Sequence, residues 1–323
     1  MKLFTSGLLL ASIANASSEA LNSTIVGCVE VGCPPSSSVK AEDNCTVTDN
    51  SYSYIGLTSL DTAHDNLKGL TWTKAVKAID SGGKSITFKS SFLLGTPPNL
   101  DLSNTTACSL FFHGISPSLS FHNNTPDLEL AQGTCSDALG ADCAKSLLDQ
   151  ARGFLDRSRD NITSSEELCS ALRENLTKNM TEACWPVSKF PWSDVDAIAL
   201  TGGGSPKPIK SEENSTSTCW PVLPKQNELT HVSDYTLPTS SQGTEAGRGL
   251  FYITPILTLF HSKEGLTVTR WGSPRPSTTL RGQPTLPTTV VITSLRRVGS
   301  RRPRRACTRA NTKRRPPRTP KMN

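Results

Sequence analysis

Two short motifs in this chain have residue types that could do chemistry. Asp80-Ser81-Gly82 follows apolar residues and matches the short motif of aspartic proteases. That chemistry needs two carboxylates that share a proton, and the nearest second candidate, Asp61-Thr62-Ala63, lacks the glycine. Gly83-Lys84-Ser85 ends like a phosphate-binding loop, but Ala78 stands where the first glycine is required. The sequence therefore predicts a turn here.

A histidine pair is the other candidate for a dispersed site. His113 and His122 bracket two predicted strands and could converge with Asp101 or Asp127. A structural or surface role for both histidines is favoured, because no motif connects them. The five histidines form no zinc motif, and there is no Gly-x-Ser-x-Gly elbow of a serine hydrolase. The sequence thus identifies no catalytic, cofactor-binding or metal-binding residue and predicts no cofactor.

The first sixteen residues predict secretion. Met1-Lys2 gives a positive start, Leu3–Ile13 is an apolar run, and Ala14-Asn15-Ala16 has the small-x-small pattern of a cleavage site. These are the parts of a signal peptide, residues 1–16. No later segment has the roughly 18 apolar residues that a membrane span needs, so an extracellular protein with no transmembrane segment is predicted.

The cysteines and the glycosylation sequons agree with that location. In an oxidising compartment disulfides are favoured over metal loops, and the candidates are Cys28, Cys33, Cys45, Cys108, Cys135, Cys143, Cys169, Cys184 and Cys219. Asn-x-Ser/Thr sequons, which imply surface positions, occur at Asn22, Asn44, Asn104, Asn123, Asn161, Asn175, Asn179 and Asn214.

The segment from Cys135 to Cys184 predicts a disulfide-stapled helical hairpin. Apolar residues recur three and four positions apart from Ala144 to Leu155, and Ser164 with Glu167 forms a capping box that starts a second helix. Its apolar face also includes the position of Asn179, so a glycan there requires the helix to end soon after Asn175.

The hairpin geometry limits the disulfide pairings. With the turn near Asn161, Cys184 reaches Cys135 or Cys143, whereas Cys169 faces no cysteine of the hairpin. We therefore expect Cys169 to bond outside the hairpin, with Cys108 on a neighbouring strand as the candidate.

The rest of the body predicts strands and one further helix. The fold class is α+β, with the hairpin packed on a small, mostly antiparallel sheet. A helix is predicted around Trp72–Ile79, and strands are predicted at Lys84–Leu94, Ala107–Ile115, Leu119–Phe121, Asp196–Leu200 and Gly249–Phe260. Pro255 places the last of these at a sheet edge or a bulge.

A short repeat connects a sequon to a tryptophan. Asn179 to Val187 is echoed by Asn214 to Val222, with Cys-Trp-Pro-Val at the same offset from the sequon in both copies. The repeat is interpreted as a shared device in which an indole ring covers a disulfide.

Residues 265–323 differ from the rest of the chain. They hold thirteen Arg, two Lys and no acidic residue, whereas the chain before them has 19 basic and 28 acidic residues, a net charge of −9. Eight prolines there favour a disordered basic tail. It is interpreted as a polyanion-binding arm, a segment trimmed by processing proteases, or a mistranslated extension. The domain organisation is thus 1–16 signal peptide, 17–264 extracellular domain and 265–323 tail.

The signal peptide, spaced cysteines, dense sequons and Cys-Trp-Pro-Val segments resemble those of uncharacterised secreted N-glycoproteins of filamentous fungi. The resemblance covers residues 1–268 and implies no particular reaction. The function expected is a secreted or cell-surface glycoprotein with a non-enzymatic structural or interaction role. Candidate partners are cell-wall or matrix polysaccharide or another surface protein, and no nucleic acid is expected. The alternative is a secreted hydrolase with a dispersed active site.

Overall fold

The computed structural model describes part of the chain. The described residues are 45–60, 67–80, 85–102, 104–113, 115, 138–158, 162–187, 192, 194–210, 219–240, 253–262 and 288–295. The predicted signal peptide, the predicted strand Leu119–Phe121 and Cys28, Cys33 and Cys135 lie outside them.

Ten strands and two α-helices make up the described fold. The strands are β1 (Cys45–Val47), β2 (Asn50–Tyr52), β3 (Tyr54–Ser59), β4 (Thr71–Asp80), β5 (Ser85–Thr96), β6 (Thr105–Phe112), β7 (Val195–Ala199), β8 (Glu228–Ser240), β9 (Thr254–Ser262) and β10 (Thr288–Leu295). The helices are α1 (Ala141–Ser158) and α2 (Ser165–Lys178), and a short 3-10 helix follows at Glu182–Cys184.

The strands form two four-stranded sheets and a ribbon. The first sheet has the order β3-β4-β5-β8, the second has the order β10-β9-β6-β7, and β1 pairs with β2. Every one of these pairs is antiparallel. The α+β class is therefore confirmed, but two sheets replace the single small sheet that was predicted.

Three apolar clusters hold these layers together. One lies between the two sheets and contains Trp72, Phe92 and Phe111. A second joins α1 and α2 to the other face of the second sheet, and a third joins the β1–β2 ribbon to the other face of the first sheet. Both sheets are thus covered on both faces, which removes the polar/apolar alternation that marks a half-exposed strand.

Both predicted helices of the 135–184 segment are present. Five of the six residues of the predicted stripe are buried in α1, Ala144, Leu147, Ala151, Phe154 and Leu155, together with Cys143. The sixth, Leu148, is partly buried against the same cluster. At the start of α2 the Ser164 hydroxyl accepts a hydrogen bond from the Glu167 amide, as predicted. The Glu167 carboxylate accepts from the Thr163 amide instead of the Ser164 amide, so the reciprocal half of the capping box begins one residue earlier.

Two buried disulfides attach this segment to its surroundings. Cys108 on β6 bonds to Cys169 on α2 with a Cα–Cα distance of 5.5 Å, which is the pairing predicted outside the hairpin. Cys143 bonds to Cys184 with a Cα–Cα distance of 4.7 Å, which selects Cys143 from the two predicted candidates. The second sheet and the 3-10 helix are thereby cross-linked to the helices.

The predicted helix at Trp72–Ile79 is wrong. These residues lie in β4, which pairs with β3 on one side and β5 on the other. Trp72 faces the second sheet, while Thr73 and Ala75 face the ribbon side. Because the strand is buried on both faces, its apolar residues do not alternate, and their spacing imitated a helical period.

The strand that contains Pro255 is not at an edge. β9 lies between β10 and β6, and its pairing with β6 reaches only to Ile256, opposite Phe111. Pro255 is the second residue of the strand and pairs only with Ser294 of β10. The proline therefore sits where the ladder to β6 has already ended, so its missing N–H costs no bond to that neighbour.

The predicted disordered tail includes a strand. Residues 288–295 form β10, which pairs with all of β9 from Thr254 to His261. This run contains no arginine, and it reads Thr-Thr-Val-Val-Ile-Thr-Ser-Leu, a mostly β-branched sequence suited to a strand. The folded body thus extends past residue 264; the other tail residues lie outside the described part.

Candidate functional site

Ionisable side chains of the described residues gather at two places. The first, which we call the buried cluster, consists of Lys74, His113, Asp194, Asp196 and Tyr235. It lies at the end of the sandwich where β6 ends and where β7 and β9 begin.

His113 occupies the centre of the buried cluster. Its ring stacks on Tyr235 with a centroid distance of 3.8 Å and an interplanar angle of 3°, and its side chain has no exposed surface. The Nε2 atom lies 3.3 Å from the Oδ2 of Asp196, but the contact lacks hydrogen-bond alignment, and neither ring nitrogen finds a hydrogen-bond partner among the described residues. Burial, together with the nearby Lys74, lowers the pKa of His113 to about 3.

Lys74 brings a buried amine to the same end of the sandwich. It is 5% exposed, its Nζ donates to the Thr254 hydroxyl at 3.4 Å, and it lies 5.7 Å from the centroid of the Phe92 ring. Burial lowers the pKa of this amine to about 7, because an ammonium ion loses its hydration there. The protonated and neutral forms of the amine are thus both populated near pH 7.

The carboxylates complete the buried cluster from β7. The Tyr235 hydroxyl donates to Asp194 at 3.0 Å, and burial together with that carboxylate raises the pKa of Tyr235. Burial and the neighbouring Asp194 also raise the pKa of Asp196. The side chain of Asp196 is 45% exposed, and Asp194 and Tyr235 are half-buried, so solvent reaches this side of the cluster.

The Lys74 amine and the His113 imidazole are groups that could take part in a reaction, but packed side chains enclose both of them. A neutral amine and a neutral imidazole are the forms that act as nucleophile and base. However, His113 is closed in by Phe111 and Tyr235, and Lys74 lies within the packed interior between the sheets. The cluster is therefore a buried polar network of the fold.

The second place, which we call the surface network, lies on the ribbon side of the first sheet. Asp234 is its centre: it accepts from the Ser91 hydroxyl at 2.6 Å and contacts Lys89 at 2.7 Å and His231 at 2.9 Å. Tyr52 of the ribbon donates to Ser91 at 3.0 Å. The network therefore connects β2, β5 and β8.

A serine, a histidine and an aspartate meet in the surface network, but in the wrong order for nucleophilic catalysis. In a hydrolase triad the histidine stands between the serine and the carboxylate. Here Ser91 and His231 both contact the same Oδ1 atom of Asp234, so no base is placed on the serine hydroxyl. The hydrogen bonds and charges of its partners hold the pKa of Asp234 below its usual range, although burial acts in the opposite direction.

Replacing Asp234 with alanine is expected to lower the free energy of unfolding. The change leaves Ser91 and Lys89 without their acceptor, and we expect a loss of about 1–3 kcal/mol at pH 7. Because the folded pKa of Asp234 is depressed, this stabilisation exists above the pKa of the unfolded carboxyl and is lost as the pH falls. Urea unfolding at pH 7 and pH 3 measures it, with Asp156→Ala on α1 as the exposed control; an equal loss at both pH values would contradict it.

The sequence-predicted histidine pair is only partly testable. His122 and Asp127 lie outside the described residues. Asp101 is exposed and precedes β6, whereas His113 follows that strand, so the two stand at opposite ends of eight extended residues. The structure places His113 against Asp196 and away from Asp101, one of the two candidate carboxylates.

Lys74, Asp194 and Tyr235 were not identified from the sequence. They come from β4, the segment before β7, and β8. The pairing of β4 with β5 and of β5 with β8 puts Lys74 and Tyr235 in one sheet, and the contact between the two sheets brings Asp194 to Tyr235. The one local signal is Asp194-x-Asp196 entering a strand, which puts two carboxylates on one face. Among the described residues, no group of three or more His, Cys, Asp and Glu side chains could hold a metal ion.

Three of the predicted glycosylation asparagines are described. Asn104 is exposed just before β6, Asn175 is half-buried within α2, and Asn179 is exposed at the C-cap of α2. The helix thus ends before Asn179, which removes the conflict between a glycan and a packed face. The other five asparagines lie outside the described residues.

The two Cys-Trp-Pro-Val copies differ in the exposure of their indole rings. Trp220 packs against the apolar cluster that includes Cys219 and donates its Nε1 hydrogen to Asn227 at 2.9 Å. Trp185 is 59% exposed. The predicted device, an indole that covers a disulfide, therefore does not describe the first copy.

Comparison with protein-family models, curated proteins and solved structures gives no match for this chain. Neither helix in the described part of the chain is long and apolar enough to cross a membrane.

Proposed function

We propose that this chain is a secreted or cell-surface N-glycoprotein that serves as a non-enzymatic structural or interaction module. The observation that carries the proposal is that buried disulfides and exposed sequon asparagines occur together in one folded body. Structural disulfides persist in oxidising compartments, and an exposed asparagine has room for a glycan.

Two features favour a module over an enzyme. The groups with the strongest pKa shifts in the buried cluster, Lys74 and His113, are enclosed by packed side chains. The surface network uses its carboxylate to join strands, with Asp234 between the serine and the histidine. Both arrangements serve the fold, and neither favours the alternative of a secreted hydrolase.

The stapled pair of helices is part of this proposal. We infer that α1 and α2 form an antiparallel hairpin that acts as the rigid frame of the module. Three contacts support it in antiparallel order: the Cys143–Cys184 bond, the Ser146 hydroxyl 2.8 Å from Thr181, and the Gln150 amide 2.5 Å from the Asn179 carbonyl.

Peptide mapping of the protein secreted by a eukaryotic host tests the proposal. Without reduction, we expect cross-linked peptides that contain Cys108 with Cys169 and Cys143 with Cys184, and we expect little alkylation of these thiols until the protein is unfolded and reduced. Glycopeptide mass spectrometry of the same sample is expected to find Asn104 occupied. Retention of the chain inside the cell, or free thiols at these four positions, would rule the proposal out.

A further inference from the structure

A shallow depression on α1 lies next to the end of α2. It has a volume of about 440 Å³ and is lined by Asp142, Lys145, Ser146, Asp149 and Gln150. Small-ligand sites range over about 300–1,000 Å³, so its size suits one or two sugar rings. Its lining offers hydroxyl, amide, ammonium and carboxylate groups, which are the groups that hydrogen-bond sugar hydroxyls.

The sequon at Asn179 stands at the rim of this depression. The Gln150 amide donates to the Asn179 carbonyl at 2.5 Å, and the Ser146 hydroxyl donates to the Thr181 hydroxyl at 2.8 Å. The acceptor asparagine and the hydroxyl residue of the sequon are therefore both hydrogen-bonded to side chains that line the depression.

The backbone around Asn179 suits a glycan better than the backbone around Asn175. Asn179 is exposed and caps α2, whereas Asn175 lies within the helix and its carbonyl accepts from the Asn179 side chain at 3.0 Å. A glycosylated amide nitrogen keeps one hydrogen, so the Asn179 side chain can retain that bond. The sequon hydroxyl of Asn175 is committed elsewhere, because Thr177 donates it to the helix backbone.

Trp185 supplies an exposed apolar surface at the end of the 3-10 helix, which contacts α1. Its neighbour Cys184 is held 4.7 Å from Cys143 between Cα atoms by their disulfide, and Cys143 adjoins Asp142 of the lining. Trp185 and Ile79 are the only exposed large apolar side chains among the described residues. An exposed indole is a flat apolar face with a polar edge, which suits the apolar face of a pyranose ring.

Gln150, which lines the depression, has an unsatisfied acceptor. The Oε1 atom of Gln150 is buried, and no donor reaches it within the described part of the chain. Buried polar atoms normally have a partner, and the acetamido N–H of N-acetylglucosamine is a donor of the right kind.

We propose that the N-glycan on Asn179 packs into the α1 depression, with its first sugars against Trp185 and Gln150, and that it stabilises the joint between α1 and the end of α2. The proposal rests on the secreted-glycoprotein function above. The repeat Asn-x-Thr-x-x-Cys-Trp then has a physical meaning in its first copy: the cysteine positions the indole to receive the glycan.

The test compares secreted variants by glycopeptide mass spectrometry and thermal unfolding. Asn179→Gln is expected to lower the Tm by about 2–4 °C, the shift that about 1 kcal/mol gives in a domain of this size. Asn104→Gln, the matched control at another exposed sequon, is expected to leave the Tm unchanged. Trp185→Ala is expected to lower the Tm when Asn179 is intact and to add nothing in the Asn179→Gln background.

Enzymatic removal of the glycan from the wild-type chain provides a second comparison, in which the side chain at position 179 keeps its length. It is expected to lower the Tm by the same amount as Asn179→Gln. Additive effects of the Asn179 and Trp185 variants would overturn the proposal, as would an Asn179 without glycan. If Asn179 carries no glycan but Asn104 does, the secreted-glycoprotein function stands and only the glycan-packing proposal fails. If no sequon is occupied, both proposals fail. Retention of a free polysaccharide by the Asn179→Gln variant alone would assign the depression to an external glycan instead.

Discussion

Replacing Lys74 with methionine is expected to raise the free energy of unfolding at pH 7 and below. The amine is buried between the sheets, and its pKa falls from 10.5 to about 7 in the folded state. A shift of this size corresponds to a cost of up to about 5 kcal/mol for the protonated form, and methionine has a similar length without the charge. The lost hydrogen bond to Thr254 reduces the gain by about 1 kcal/mol.

The pH dependence of that gain follows from the sign of the shift. Between pH 7 and 10.5 the unfolded chain binds a proton at Lys74 that the folded chain does not, so the stability of the wild type rises with pH across this window. The gain from Lys74→Met is therefore largest at and below pH 7 and disappears above 10.5. Urea unfolding of both proteins at pH 6, 8 and 10 measures it.

Lys77→Met is the matched control for this prediction. Lys77 lies on the same strand, is half-buried, and donates to the Asn50 side chain at 2.9 Å. Its replacement is expected to remove that contact and to give a small loss that does not follow the pH window of Lys74. A destabilised Lys74→Met protein at pH 6, or a difference that stays constant from pH 6 to 10, would show that the amine is not buried as the structure has it.

Features of this fold that depend on local spacing were predictable from the sequence. The stripe on α1 and the cap at Ser164 are properties of a few neighbouring residues, and the structure confirms both. A bond of Cys169 outside the two helices followed by exclusion, because the predicted hairpin offers it no opposite cysteine, and the structure shows the bond to the candidate Cys108. In each case a short segment contains the geometry that decides the result.

Features that depend on strand register were not predictable in the same way. The spacing within β4 predicts a helix because both of its faces are buried. This burial comes from the second sheet on one side and the ribbon on the other, and not from the strand itself. The composition of residues 265–323 predicts a disordered tail that includes β10, because the arginines around this strand dominate it. Six of the eight residues of β10 are β-branched, and they gain order from pairing with β9, which lies 26 or more residues earlier in the chain.

The buried cluster is the clearest case of this second kind. Its members come from segments between residues 74 and 235, and no spacing rule relates them. Lys74 in particular looks like the polar residue of an amphipathic helix when β4 is taken as a helix. Only the sandwich shows that its side chain points inward, toward Thr254 and His113. The local pattern thus assigns Lys74 to the surface, whereas in the fold the side chain is buried and its charge costs stability.

Acid is expected to destabilise the wild type through His113, and His113→Phe is expected to remove much of that sensitivity. The pKa of His113 falls from 6.5 to about 3 on folding, so the unfolded chain takes up a proton first as the pH is lowered. Stability is therefore full above pH 6.5 and falls between 6.5 and 3 by about 1.4 kcal/mol per pH unit. At pH 5 this is about 2 kcal/mol in favour of the variant, because phenylalanine keeps the stack on Tyr235.

Two charged neighbours of His113, Lys74 and Asp196, affect how strongly acid destabilises the protein. The Lys74 ammonium opposes protonation of the imidazole. The Asp196 carboxylate, 3.3 Å away, favours the protonated imidazole, and this effect weakens once acid neutralises the carboxylate. Removing the ammonium in Lys74→Met should raise the pKa of His113, so the acid sensitivity of the double variant should differ from the sum of the single ones. Urea unfolding from pH 7.5 to 4 measures all four proteins, with His261→Asn on β9 as the partly exposed control. If His113→Phe and the wild type lose stability in parallel from pH 6.5 to 4, the histidine is not buried in its neutral form.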